Sequence, residues 1–193
     1  MKKYIAIVGT IAAGKTTACK YFQQKGYIHY KLSQGIYDEA DKRGLDRTDR
    51  VILQDLGDEL RENHGVDVLA KIIIKKIKKD DDSKKYVFDS IRNHNEILTL
   101  QKAFGKDLVV IAIDAPIKLR YKRAVERKGQ YKEQNLTFQE FKKNNDRDLG
   151  KGNAENEQNV IKCISLADYN VQNTGSLKQL KSKLDKISQK ENE

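Results

Sequence analysis

Tryptophan is absent, proline occurs once and cysteine twice, and no apolar run is longer than a few residues. Cys19 and Cys163 are too few for a disulfide framework or a zinc cluster, and His29, His64 and His94 sit in no metal-ligand spacing, so a metal held by side chains alone is not expected. The apolar run from Leu108 to Ile113 falls far short of the roughly 20 residues that cross a bilayer. The first residues also lack the apolar stretch and small-residue cleavage site of a signal peptide. These absences point to a soluble protein of cytoplasmic type with no membrane partner. Acidic side chains are also in short supply, 28 against 38 basic ones in 193 residues, a net charge of +10. That excess attracts polyanions, but much of it lies in the Lys71–Lys85 and Lys178–Lys190 stretches, where helical spacing leaves it on solvated faces. Nucleic acid is therefore not the expected partner. A chain of this length fits one domain, a monomer or homodimer.

What is present has an order. Tyr4–Val8 is a short β-branched run closed by Gly9, and Lys15–Lys25 reads as a helix closed by Gly26. Ile28–Leu32 suggests a second strand. Ser33 then stands where it would cap a helix through Arg43, and Thr48 where it would cap another carrying Val51, Ile52, Leu56 and Leu60 at helical spacing. A further helix covers Val66–Lys78. Tyr86–Phe88, ending at Asp89, and Leu108–Ile113, ending at Asp114, are uninterrupted apolar runs of the kind buried on both faces of a parallel sheet. Pro116 fits a helix's first turn, Thr137 and Ser176 fit caps, and Tyr169–Gln172 is a last strand. Five strands separated by helices predict an α/β three-layer sandwich, with a helical insertion over residues 33–79.

Gly9-Thr-Ile-Ala-Ala-Gly14-Lys15-Thr16 matches the G-x-x-x-x-G-K-[ST] phosphate loop and lies between a predicted strand and a predicted helix, the context the motif requires. Gly9 and Gly14 permit a tight turn that aims backbone N–H groups, including those over Ala12, Ala13 and Thr17, at phosphate oxygens. Lys15 is expected to reach the β- and γ-phosphates of ATP, and the Thr16 hydroxyl to join the Mg²⁺ shell. Asp89, at the end of its strand, is the second candidate for the metal, with Asp114 competing; Asp114 also stands where it would cap the helix beginning at Pro116. Arg92, three residues beyond Asp89, fits a substrate phosphate.

Arg120, Arg123 and Arg127 recur at helical spacing, and Arg147 follows a polar segment, Gly129–Asn135, that reads as a lid within residues 127–147. Arg120 is expected on the nucleotide, and Arg123 and Arg147 are expected to be catalytic, neutralising the charge that spreads in phosphoryl transfer. The alternative for this helix is a solvated basic face, with Glu126 pairing to Lys122. Two other motifs are spurious. Asp38-Glu39-Ala40-Asp41 and Asp41-Lys-Arg-Gly44 spell a helicase box and a GTPase D-x-x-G, but both fall in a polar helix instead of at a strand end.

With these motifs the chain resembles the nucleoside monophosphate kinase branch of P-loop proteins, including adenylate kinase and dephospho-coenzyme A kinase. Tyr30–Tyr37 resembles the second strand and the start of the monophosphate-binding helices, and Val87-Phe88-Asp89-Ser90-Ile91-Arg92 resembles the strand whose Asp and Arg meet metal and acceptor phosphate. Ala167–Ser176 resembles the final strand and turn of dephospho-coenzyme A kinases and of kinase-like domains fused to deoxycytidylate deaminases. The family's acceptor-gripping arginine is missing from Ile36-Tyr37-Asp38; Lys42, Arg43 and Arg61 are the available substitutes. The resemblance implies a Mg-ATP-dependent kinase acting on a small phosphorylated acceptor, a (deoxy)nucleoside monophosphate first and dephospho-coenzyme A second. It also implies that the Tyr4–Val8 strand lies between those ending at Asp89 and Ile113. The rival is an ATP-binding regulatory or nucleic-acid-associated protein, which would show a basic stripe away from the loop.

Overall fold

The computed structural model describes residues 1–80, 83–127, 136–150, 154 and 157–191; the Gly129–Asn135 segment expected to be a lid lies outside them. Five strands, β1 (Tyr4–Gly9), β2 (Tyr27–Lys31), β3 (Lys85–Asp89), β4 (Leu108–Asp114) and β5 (Tyr169–Gln172), form one all-parallel sheet in the order β2-β3-β1-β4-β5. The Tyr4–Gly9 strand is therefore central, as the resemblance implied.

Its alternation shows why the run is apolar throughout. Tyr4, Ala6 and Val8 face one core, whereas Ile5 and Ile7 face the other, and all are buried. The second core is covered by α1 (Lys15–Gln24) and, from the far end of the chain, α9 (Leu177–Lys190), through Phe22, Leu180 and Leu184. The first is covered by α2 (Gln34–Lys42), α3 (Arg50–His64), α4 (Val68–Ile77), α5 (His94–Phe104) and α8 (Val160–Ser165). Burying each such large apolar side chain contributes about 1.5–3 kcal/mol. The remaining helices, α6 (Ile117–Glu126) and α7 (Phe138–Leu149), pack Ala124 and Phe141 on Ile11 of the phosphate loop.

Thr137 and Ser176 form the capping boxes expected of them, with Glu140 and Gln179 as reciprocal partners. Thr48 does not cap α3. Its hydroxyl is drawn to Asp46, 2.6 Å away, and the carboxylate of Asp49 accepts from the Val51 and Ile52 N–H groups instead. Ser33 precedes α2 in helical backbone and makes no side-chain cap. The second difference leaves the Ser33 hydroxyl in the wall of a cavity.

Candidate active site

The phosphate loop is shaped by contacts that only glycine allows. Gly9 adopts φ 133°, and a Cβ there would fall 1.9 Å from the Ile113 carbonyl oxygen on β4; Gly14, at φ 110°, begins α1 with its Cα side against Asn173. The loop is clamped from three elements. Thr10 Oγ1 donates to Asp114 Oδ1 at 2.5 Å, and Asn173 Nδ2 donates to the Ala13 carbonyl at 2.8 Å. Arg120, buried, donates to the carbonyls of Ile11 and Ala115 and to Asn145 Oδ1. Arg120 and Asp114 thus support the loop from behind. The guanidinium expected on the nucleotide is directed to protein acceptors, and Asp114 engages Thr10 and does not cap α6.

Within the loop, Lys15 Nζ curls back to donate to the Gly9 and Thr10 carbonyls at 2.8 and 2.7 Å. Burial, with Arg92 nearby, lowers its pKa to about 7. An ammonium held so weakly in its charged form is ready to be stabilised by an incoming polyphosphate.

The cleft over the loop encloses about 1010 Å³ of empty space, open mouth included. Its walls carry six cationic side chains, Lys15, Lys31, Arg50, Arg92, Arg123 and Arg127, against one carboxylate, Asp89. Asp89 lies buried at the end of β3. Burial works to raise its pKa, but His29, Nε2 3.2 Å from Oδ1, together with Lys15 and Lys31, holds the carboxyl below its ordinary range. Ser90, next in the chain, takes φ 62°, a conformation costly for a residue with a side chain and typical of functional turns. Cys19 from α1, His29 from β2 and Asp89 from β3 bring ligand-capable atoms within 4.8 Å of one another. Spacing along the sequence could not show this, since each comes from a different element.

A second chamber, about 430 Å³ with its mouth, adjoins the first and shares Tyr37, Arg50, Ser90 and Arg92 with it. Its floor is Asp148, at the end of α7 and 1% exposed. The Asp148 carboxylate accepts from Arg50 Nη2 at 2.8 Å, from Gln54 Nε2 at 2.6 Å and from Arg92 Nη1. Burial opposes its ionisation, but Arg92, Arg50 and Gln54 keep its pKa low. The Arg92 backbone is fixed too, its N–H on Glu96 Oε2 at 2.9 Å and its carbonyl accepting from Asn159 N at 2.7 Å. Glu96 is itself held by the buried Arg61.

Arg50, at the start of α3, lines both chambers, whereas none of the three substitutes that the sequence offered does. Lys42 and Arg43 pair with acidic residues on the surface, and Arg61 is committed to Glu96 and Asp58 in the core. Arg123 lines the nucleotide cleft, with Nη2 on the Asn173 carbonyl at 3.0 Å and Nη1 buried without a partner. Arg147 does not line it and reaches Asp55 and Asp58 on α3 at 2.6 and 2.9 Å. Arg50 and Asp148 escaped the sequence reading. The spacing Phe141, Asn145, Asp148 marks the inward face of α7 and would have selected Asp148 over its neighbour Arg147.

A family model described as AAA domain matches residues 5–163. A UPF0200 protein of Sulfurisphaera tokodaii is 30% identical over 185 residues, covering 96% of this chain and 95% of the relative. The chain belongs to the UPF0200 family of AAA-domain proteins. A UPF0200/UPF0201 protein of Archaeoglobus fulgidus is 33% identical over 186 residues, 96% of this chain, and the chain spans only 54% of that relative's length. Among solved structures, shikimate kinase from Bacteroides thetaiotaomicron has a TM-score of 0.61 at 12% identity, covering 96% of this chain and 98% of that one. Dephospho-CoA kinase from Campylobacter jejuni has 0.50 at 17%, covering 98% and 97%. At these identities the likeness is one of fold: this UPF0200 chain has the P-loop kinase fold. Its lysine-rich helices, α4 and α9, cover opposite faces of the sheet, while Arg50, Arg92, Arg123 and Arg127 line the cleft over the loop.

Proposed function

We propose that the protein is a Mg-ATP-dependent phosphotransferase that passes the γ-phosphoryl group to a small anionic acceptor, a nucleoside monophosphate by the resemblance of its strands and loops. The observation that carries this is the pair of joined chambers, one floored by the phosphate loop and the other entered between Arg50 and Arg92. A polyphosphate on the loop and an anionic acceptor between those arginines would meet at Ser90, where an acceptor oxygen can attack the γ-phosphorus as the bond to the bridging oxygen of ADP breaks.

The loop suits a polyphosphate, since Gly9 and Gly14 let its backbone turn at positive φ into the N-terminus of α1, where N–H groups attract anions. The oxygen donors of Thr16 and Asp89 suit a hard dication. Those two residues would hold Mg²⁺, which when bound neutralises charge on phosphate oxygens. Lys15 exchanges its loop carbonyls for the transferring phosphate, and Arg123 Nη1 is available to the developing charge. Asp148 holds Arg50 and Arg92 on one carboxylate oxygen and largely out of water, so that the acceptor meets an organised clamp. Arg147 enters this reading through its bonds to Asp55 and Asp58, which tie α7, and with it Asp148, to α3.

The test is coupled ADP release across nucleoside and deoxynucleoside monophosphates, dephospho-coenzyme A, and small hydroxylated carboxylates. Acceptor-dependent release should fall at least 10³-fold in Lys15→Ala, with nucleotide affinity much less affected because backbone amides still bind phosphate. ADP release that no acceptor stimulates, or Lys15→Ala turnover near wild type, would refute the kinase.

A further inference from the structure

Gln54 lines the acceptor chamber at 3% exposure. Its Nε2 is committed to Asp148 Oδ1, and its Oε1 is buried without a hydrogen-bond partner. The amide cannot turn over to relieve this, because the exchange would set its carbonyl oxygen against a carboxylate. Oε1 is thus fixed as an acceptor of hydrogen bonds. A buried orphan acceptor is costly and rare in a native fold, and it calls for a partner that arrives from elsewhere. Close by, Ser33 Oγ, from the residue that failed to cap α2, is also buried without a partner in the same wall.

The position of Gln54 limits what that partner can be. The carboxylate that fixes Gln54 through Oδ1 fixes Arg50 and Arg92 through Oδ2. Anion clamp and orphan acceptor are therefore one carboxylate apart, and Ile36 and Leu53 complete the wall with apolar surface. We infer that the acceptor substrate carries a hydroxyl or amino group only a few bonds from its anionic group, and that Gln54 Oε1 selects it by accepting that N–H or O–H. In a nucleoside monophosphate the group is a ribose hydroxyl instead of the base; in a hydroxylated carboxylate it is a ring or chain hydroxyl. The inference rests on the kinase reading and narrows its substrate class. It makes Gln54 a specificity residue, not a catalytic one.

The experiment takes the best acceptor found among AMP, CMP, GMP, UMP, dephospho-coenzyme A, shikimate and gluconate. It compares that acceptor with analogues lacking one hydroxyl at a time, in wild type and in Gln54→Met. One deletion near the anionic group should lower wild-type kcat/KM by 10²-fold or more, because a site built around a polar contact rejects the analogue that lacks it. The same deletion should matter less than threefold in Gln54→Met, while KM for ATP stays within twofold of wild type. If no wild-type deletion costs tenfold, the inference fails whether or not the variant folds. It also fails if the deletion costs the same in both proteins, or if Gln54→Met impairs ATP and acceptor alike; in each case the kinase stands. If no acceptor in the panel raises ADP release, the kinase reading fails and takes this inference with it.

Discussion

Replacing Asp148 by Asn keeps the shape of the side chain and removes the charge on which the acceptor clamp is built. Arg50 and Arg92 are 11% and 18% exposed at their side chains, and Asp148 is 2% exposed, so water screens the ion pairs little. Deleting one member of such a buried set strands the others, a loss of about 3–5 kcal/mol, whereas replacing the whole set by apolar groups would be far milder. Against a domain stability of about 5–15 kcal/mol the loss is large, and at about 2–4 °C per kcal/mol for a chain of this size Tm should fall by about 6–20 °C.

The stranded arginines also make a second signature. Inorganic phosphate should stabilise Asp148→Asn more than wild type, because an added anion replaces the missing charge; saturation at 100 times Kd is worth about 2.7 kcal/mol. Urea unfolding with and without phosphate, repeated with ADP present to fill the loop, reads both effects. A loss below about 1 kcal/mol, or equal phosphate stabilisation of the two proteins, would show that Asp148 does not organise the clamp.

Other perturbations follow from the same geometry. The Lys15 pKa of about 7 in the free protein should rise when phosphate binds, so ATP binding takes up no proton well below pH 7, about half a proton at pH 7 and close to one at pH 8. Affinity should then weaken toward tenfold per pH unit above 7, and calorimetry in buffers of different ionisation enthalpy measures the uptake directly; equal uptake at pH 6 and pH 8 contradicts it. Gly9→Ala drives a Cβ to 1.9 Å from a β4 carbonyl, and overpacking plus an unfavourable φ should destabilise by about 3 kcal/mol or more in urea unfolding. His29→Ala releases the carboxylate of Asp89 without touching the loop, so the Mg²⁺ concentration for half-maximal ADP release should rise about 10-fold, with Tm changed little; an unchanged Mg²⁺ requirement would separate His29 from the metal.

The fold was legible because its signals were local. An apolar run buried on two faces, as in β1 and β4, needs no knowledge of its partners to be read as a central strand, and the capping boxes at Thr137 and Ser176 are contained within four residues each. The phosphate loop was legible for the same reason. Thr48 misled because two oxygens compete at α3, and the free Asp49 carboxylate beats a hydroxyl already engaged by Asp46. The acceptor clamp was not legible, since its parts are far apart in sequence and each looks ordinary in its own segment. Arg50 reads as a surface residue at a helix start and Gln54 as a polar residue on an amphipathic helix, and the inward spacing of Asp148 does not say which residues it meets. Arg120, by contrast, was selected for its charge and spacing, while its buried environment, where three protein acceptors engage its Nε and Nη1, could be seen only in three dimensions.

The placement of Asp148 also shows why this cleft needs a carboxylate that touches neither nucleotide nor metal. Lys15, Arg50 and Arg92 line connected space, and without counter-charges their mutual repulsion would be several kcal/mol even at an effective dielectric of 20. Asp148 and Asp89 work to raise the pKa of Lys15, against burial first and then Arg92 and Arg50, which lower it. With six cations lining the cleft over the loop against Asp89, and Asp148 behind Arg50 and Arg92, the cleft keeps a net positive charge of the sign that attracts polyphosphate. Asp148 acts from α7, the helix that follows the segment expected to be a lid. If α7 withdrew, Arg50, Arg92 and Gln54 would lose their common anchor together, so the acceptor clamp exists only while α7 is docked. Arg147, bonded to Asp55 and Asp58 on α3, adds to the contacts that Phe141, Asn145 and Asp148 make for that docking. Under the kinase reading its part is mechanical, one residue away from the group it helps to position.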